Sequence, residues 1–420
     1  MKVLLLGSGG REHAIFWKLS QSPLLTSLDV FPGNGGFPEN QIIKEAGLSL
    51  SDMEGLAAFV KNRGYDFVFV GPEQPLVDGV ADALKNICPV FGPDRYAAQL
   101  EGSKDFSKSF MEKYRIPAAH SRTFTDYNEA KDYLQTKSLP IVIKADGLAA
   151  GKGVTVAETH EQAEQALKES LIDHKFGNSG NRVLIEDFMK GIEASVFALC
   201  DGKKALPFIA AKDHKRAFDN DLGPNTGGMG AFAPVSFMTD EVMKKVQEEV
   251  LDRVMEGMQK EGHPYRGLLY AGLMVDGGIP RVVEFNVRFG DPETQPLMRL
   301  LDEDLLDLSF KAAKGELPDI KLKFKDEAAL VVVLAAEGYP DEYKKNILLK
   351  DIDRVQGDII FFHAGTLRDG ENLISSGGRI LGITATGKDP VQARENVYSF
   401  MKNLNIEGTF YRKDIAEREI

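Results

Sequence analysis

Along the first hundred positions, apolar residues come in short unbroken runs separated by stretches where they recur every three or four places. The runs KVLLLG, YDFVFVG and PVFGP read as strands buried on both faces, and SLDVFPGNGG as a strand entering a loop. GREHAIFWKLSQSP, ended by Pro23, LAAFVKNRG and LVDGVADALKNI carry helical spacing. Buried strands alternating with amphipathic helices predict a parallel sheet covered on both sides. Ligands of such sheets gather beyond the carboxyl ends of the strands. Those ends carry Gly7, Ser8, Gly9 and Gly10, then Pro32 to Asn34, then Gly71 to Glu73, which together form a candidate binding rim.

The texture changes near Glu101. GSKDFSKSFMEKYRIP reads as a helix with Lys104 near its start. A strand–helix–strand region follows, then a glycine-dense loop, a long helix over 242–259 and the paired strands GLLYAGLMVDGGIPRVVEFNVRF. A third region starts at AALVVVLAAEGYP, continues through DIIFFHAG and RILGITATG, and includes a helix over 390–404. Boundaries are expected near residues 102 and 326, giving regions 1–102, 103–325 and 326–420, with a chain length suited to several cores.

Composition narrows the choices. The chain is 43% hydrophobic and 27% charged, as in ordinary globular proteins. A formal net charge of −12 argues against coating nucleic acid or an anionic membrane. Cys88 and Cys200 are too few for a disulfide framework or a zinc site, which suggests a reducing, cytosolic setting. MKVLLLGSGG is apolar for too short a run to be a signal segment or a membrane span.

One nucleotide motif is excluded by position and another fits poorly. In KADGLAAGKGV, Asp146 stands where a P-loop needs its first glycine, and Gly153 where it needs the magnesium-binding Ser or Thr. The segment continues as VTVAE, a strand, so it is a glycine-rich hairpin tip. In the first strand–helix turn, Glu12 takes the third glycine position of a dinucleotide fingerprint, and the next strand ends in Pro-Gly-Asn instead of an acidic residue. A glycine turn at a helix start still suits an anion such as a sugar phosphate.

The strand RVVEFNVRF carries the most chemistry. On a strand, Glu284, Asn286 and Arg288 share one face, and Phe285 and Val287 the other. Two oxygen ligands spaced i, i+2 suit magnesium bridging phosphates, and an adjacent arginine can neutralise a transferring phosphoryl group. The bland alternative is the wet face of an edge strand; the neighbouring polar turn GDPETQP favours metal. Lys104 and Lys144 can hold phosphates as point charges. The connector IEDFMKGIEA, with Glu186 and Glu193, can present backbone groups to an adenine and a carboxylate to ribose. GPNTGGMGAFAP is expected to be a mobile loop rich in N–H donors, following Asp213, Lys215 and Arg216. His13 and His214 lack a second histidine at ligand spacing, so neither reads as a metal ligand.

In that order, the lysines, glycine hairpin, acidic connector and Glu-x-Asn strand resemble the ATP-grasp architecture. GSGGREHA, PGNGG, VGPEQPL, QLEGSK, IKADGLAAGKGV, DHKR, GPNTGGMGA, LYAGLM, EFNVRFGDPETQ, HAGT and GGRIL span nearly the whole chain. Together they resemble the phosphoribosylamine–glycine ligase family, in its stand-alone bacterial form. The resemblance implies an α/β and α+β fold: an N-terminal parallel-sheet domain, a two-lobed ATP-grasp domain with a lid lobe at about 123–193, and a small C-terminal mixed α/β domain. It implies ligation of glycine to 5-phosphoribosylamine through glycyl phosphate, with ATP as substrate and Mg2+ or Mn2+ as cofactor. It assigns the metal to Glu284 and Asn286. ATP falls to Lys104, Lys144, Gly151, Lys152, Gly153, Glu186, Asp187, Phe188 and Glu193. Catalytic roles fall to Arg288, Asp213 and Asp291, with Thr226, Gly227, Gly228, Met229 and Gly230 around glycine. Gly9, Gly10, Asn34 and Glu73 would hold phosphoribosylamine. Val287 departs from a cysteine frequent in the family, on the apolar face. The expected setting is cytoplasmic, as a monomer or homodimer, with small-molecule partners and neither nucleic acid nor membrane. Competing readings are another ATP-grasp carboxylate–amine ligase, a carboxylase subunit, or a nucleotide-binding regulatory protein without turnover.

Overall fold

The structure, a computed structural model, describes residues 1–147, 153–350, 352 and 357–418. The N-terminal sheet runs Ser27–Pro32, Lys2–Gly7, Phe67–Val70, Val90–Phe91 across its width, and every pair is parallel. Val3, Leu4, Leu5 and Leu6 are all fully buried, as an unbroken apolar run between two helical layers requires. The run LVDGVADALKNI, expected as one helix, is two short ones, Glu73–Asp78 and Val80–Leu84. Gly79 separates them at φ +92°, a left-handed turn that glycine adopts without a Cβ clash.

The central region holds two antiparallel sheets. One orders Ala205–Pro207, Ile192–Asp201, Arg266–Asp276 and Ile279–Asn286. The other orders Ser121–Phe124, Val183–Asp187, Ile141–Ala145 and Val154–Ala157. Helices Tyr127–Leu134 and His160–Leu171 cover the second sheet, and Phe124, Leu134, Ile143, Leu167 and Ile185 give it a core of its own. The helical stretch after Thr239 runs from Asp240 to Lys260 through a π-helical turn at Gln247–Leu251.

The third region departs from the sequence division. Its sheet orders Lys212–Asp213, Gly230–Ala233, Ala328–Ala336, Arg379–Gly387 and Ile360–His363. Two of those strands belong to the stretch before 326, so the glycine-dense loop feeds directly into the C-terminal sheet. A boundary drawn from composition follows the chain; sheet pairing follows space. Ala328–Ala336 is buried at every position, with helices Thr294–Leu300 and Pro390–Met401 packed on it. No helix among the described residues is long and apolar enough to cross a membrane.

Candidate active site

Ile279–Asn286 is an edge strand, yet Glu284 on it faces a cavity and not bulk water. A bulge leaves Val283 unpaired, since Gly272 pairs with Glu284 while Leu273 pairs with Val282. Glu284 then lines a small cavity together with Glu193, Ser195, Asp213, Lys215 and Tyr270. A Cβ on Gly272 would stand 3.4 Å from the Glu284 Cγ, so a glycine there leaves the carboxylate room. Asn286 follows at the strand end, its Oδ1 accepting from Arg288 at 3.2 Å. A carboxylate and an amide oxygen two residues apart form a hard donor set. Among the described residues no group of three or more His, Cys, Asp or Glu could hold a metal. The pair matches the oxygen preference of a hard cation such as magnesium, which commonly keeps other oxygens from phosphate and water.

Charge inside the cavity is tightly matched. Lys215 Nζ lies 2.8 Å from Glu193 Oε2. Burial works against the Lys215 ammonium, but the Asp213 and Glu193 carboxylates outweigh it and hold it charged well above the usual lysine range. Lys215 in turn holds Glu193 below the usual carboxylate range, while burial pushes Asp213 up. Behind them Ser195 Oγ donates to Glu293 Oε1 at 3.0 Å and lies 3.1 Å from the Tyr270 hydroxyl. Burial, helped by the Asp213 charge, pushes Glu293 up to about 7. Glu293, Ser195 and Tyr270 escaped the sequence reading, although Glu293 stands inside GDPETQP.

A second wall carries lysines. Lys144 Nζ lies 2.9 Å and Lys108 Nζ 3.1 Å from Glu186 Oε2, all three side chains being under a tenth exposed. Glu186 is thus directed inward, with Lys108 and Lys144 both paired to its Oε2. Lys104 reaches the Gly147 carbonyl at 2.8 Å. Burial lowers both Lys104 and Lys108. Lys108, which the sequence reading missed, lies one turn beyond Lys104 on helix Lys104–Lys113, and that i, i+4 spacing was the available signal. Asp146 Oδ1 accepts from the Lys104 N–H at 2.6 Å and anchors the hairpin base to the helix start. Gly153 O accepts from the Ala145 N–H, while Gly151 and Lys152 lie outside the described residues. Asp187 pairs with Lys137 at 2.9 Å, and Phe188 is half-exposed nearby.

Arg288 lies just past the strand, at a junction between regions. Its guanidinium is 2.7 Å from Glu101 Oε1 and 3.2 Å from Glu73 Oε2. Glu73, expected as a substrate contact, is therefore engaged with Arg288 and, at 3.8 Å, with Arg11. Burial disfavours its charge, but these two arginines more than compensate and hold it below the usual range. Glu101 is pushed up to about 7 by burial despite Arg288.

The rim is held by contacts within the protein. Glu12 Oε2 accepts the Gly9 N–H at 2.6 Å, and its side chain fills the space that Gly7 and Gly71 leave open. The anion position of this turn is thus occupied by the protein's own carboxylate, the physical reason it is no dinucleotide loop. Asn34 donates to Ser8 O at 2.7 Å and His363 O at 2.8 Å and accepts from Gly36 N–H, so its amide stitches rim to C-terminal region. Gly10 lies against Gln295 and Ala364. The donors of the glycine loop are also engaged: Thr226 N–H to Lys215 O, Gly227 N–H to the Tyr339 hydroxyl, Gly228 N–H to Thr226 Oγ1 and Met229 N–H to His214 O. Gly230 opens the strand Gly230–Ala233. Asp291 accepts from Gln295 at 2.8 Å and from Arg379 at 2.9 Å.

A parallel-sheet domain, a central pair of antiparallel sheets with lysines on one and an oxygen pair on the other, and a C-terminal sheet define an ATP-grasp protein. Family models described as phosphoribosylglycinamide synthetase match its N domain at residues 1–101, its ATP-grasp (A) domain at 102–294 and its C domain at 329–418. The chain belongs to the phosphoribosylglycinamide synthetase family. A Leptospira interrogans protein named phosphoribosylamine–glycine ligase is 52% identical over 100% of this chain and 99% of its own. A Rhizobium meliloti protein of the same name is 47% identical over 100% and 99%. The crystal structure of the Thermotoga maritima phosphoribosylamine–glycine ligase superposes with a TM-score of 0.87 at 33% identity, covering 99% of this chain and 100% of that one.

Proposed function

We propose that the chain ligates glycine to 5-phosphoribosylamine, consuming ATP and releasing glycinamide ribonucleotide, ADP and phosphate in purine biosynthesis. The glycine carboxylate attacks the γ-phosphorus of ATP, the β–γ bridge bond breaks, and ADP leaves glycyl phosphate behind. The amine of phosphoribosylamine then attacks the acyl carbon, phosphate departs, and the amine gives up a proton to leave an amide. One observation carries the reading: Glu284 lines one cavity with Glu193, Asp213 and Lys215, and two residues on Asn286 accepts from Arg288.

Phosphoryl transfer asks for alignment and charge neutralisation more than for a protein nucleophile. Lys104 and Lys144 bring positive charge to the nucleotide, and Arg288 offers a fork of donors to the transferring group. Glu284 and Asn286 would hold Mg2+ or Mn2+, which supplies neutralisation of phosphate charge when bound. Both thiols suit this scheme, since burial pushes Cys88 up to about 11 and raises Cys200 further, leaving neither a ready nucleophile. Asp213, Asp291 and the 226–230 loop would border glycine; the rim near Gly9, Gly10, Asn34 and Glu73 would border phosphoribosylamine. We place the reaction in the cytoplasm, in a monomer or homodimer.

A coupled ADP assay tests the proposal. ADP release should require glycine and, for sustained turnover, freshly generated phosphoribosylamine. Equal rates with and without glycine refute it.

A further inference from the structure

The motifs HAGT and GGRIL lie in the C-terminal region and have no part in the scheme above. In the fold they meet backbone to backbone: a Cβ on Gly365 would stand 2.5 Å from the Gly377 Cα, and Gly365 N–H donates to Arg379 O at 2.8 Å. This rigid base carries Arg379 toward the centre. Its Nη1 donates to Gly227 O at 2.7 Å and Asp291 O at 2.8 Å, and its Nη2 to Asp291 Oδ2 at 2.9 Å. Tyr339, stacked beneath Gly378, accepts the Gly227 N–H at 3.1 Å. Both the N–H and the carbonyl of Gly227 are thus held from the third region.

The tethered parts border the chamber. Loop 226–230 is anchored on Lys215 and His214, and Asp213 and Lys215 line the cavity. Asp291 approaches the rim, its Oδ2 being 3.6 Å from a Cβ built on Gly9. Adjacent glycines have the widest backbone freedom and lose the most entropy when ordered, so a tether is needed to keep one conformation.

We propose that Arg379 is a positioning residue, fixing the glycine loop and Asp291 against the N-terminal rim so that the acyl phosphate meets the amine before water does. The inference rests on the ligase reading above. A fork donating to several oxygens at fixed angles is not replaced by an ammonium, and a displacement of about 1 Å can cost about a hundredfold in rate.

The test measures ADP and glycinamide ribonucleotide together in the full chain. Parent enzyme should give equal amounts of each. In Arg379→Lys, kcat for product should fall by about tenfold to a hundredfold, the KM for ATP should stay within about twofold, and ADP should exceed product as glycyl phosphate is lost to water. Arg379→Ala should behave likewise, with partial recovery in added guanidinium. Tyr339→Phe, lacking one acceptor, should uncouple less. If Arg379→Ala does not fold, Arg379→Lys and Tyr339→Phe decide. Equal ADP and product in both, with kcat within about twofold of parent, overturns the proposal, as does a lowered melting temperature with coupling intact. A parent enzyme whose ADP release ignores glycine overturns the ligase reading instead.

Discussion

The Glu101 carboxylate grips the Arg288 guanidinium at 2.7 Å with one oxygen and the Val287 N–H at 2.7 Å with the other. Glu101 lies in the last turn of the short helix Gln99–Gly102, so the close of the N-terminal region meets the chain just past the strand carrying Glu284 and Asn286. Glu73 takes the other side of the same guanidinium. An arginine between two carboxylates keeps its charge yet cannot wander, the condition for preorganised stabilisation of a developing negative charge.

Arg288→Ala should lower kcat by about 10²–10³ while nucleotide binding survives, as for the loss of one charge-stabilising donor. Steady-state rates with a separate ATP titration check this. A kcat within a few-fold of parent makes Arg288 structural.

Glu101→Gln keeps an acceptor for Val287 but removes the charge facing Arg288. Glu101 protonates near 7 in the fold, so its ion pair is present above that pH and lost below it. The parent kcat should fall on the acid side of about 7, and Glu101→Gln should lack that limb. Persistence of the limb in Glu101→Gln would assign it to Glu293, which also titrates at about 7.

Glu284→Gln should raise the magnesium concentration needed for half-maximal rate by about tenfold or more. The readout is a metal titration at saturating ATP. An unchanged curve removes Glu284 from the metal site.

Glu186→Gln would leave Lys108 and Lys144 buried without their counter-ion. Removing one partner of a buried ion cluster costs about 3–5 kcal/mol. Urea unfolding should show that loss, and a midpoint equal to that of the parent would deny the cluster a stabilising role.

His13 Nδ1 accepts from the His363 N–H at 3.0 Å, so its Nε2 carries the proton and donates to Gly36 O. Burial and the neighbouring His363 push His13 down to about 3, and burial lowers His363 to about 4. Below pH 6.5 the unfolded chain binds protons that the folded one refuses. Stability should therefore be full above 6.5 and fall toward pH 4, by up to about 1.4 kcal/mol per pH unit for each histidine. His13→Gln should flatten that slope in unfolding measured at several pH values. An unaltered slope locates the titration elsewhere.

Much of the architecture was legible along the chain. The unbroken run Val3–Leu6 announced a doubly covered strand, Gly153 excluded a P-loop by position, and Glu12 argued against a dinucleotide turn. The strand Ile279–Asn286 carrying Glu284 and Asn286 was legible because strand periodicity is local. Glu101 and Arg379 were not, since each acts on residues far away in sequence, and nothing near QLEGSK or GGRIL names its partner. The backbone and lysine partners of Asn34 and Glu186 were likewise set by the fold and not readable from residue type.

By itself, then, the order of residues determined the strands, most of the helices and the glycine turns, because these depend on dihedral preference and periodicity over a few neighbours. Tertiary structure alone decided which charges meet: Glu101 with Arg288, Glu186 with Lys108 and Lys144, Arg379 with Asp291, and the glycine loop with the C-terminal sheet. The reason is electrostatic and steric. A buried charge must find a partner in space, and the chain supplies it from wherever packing brings one within about 3 Å.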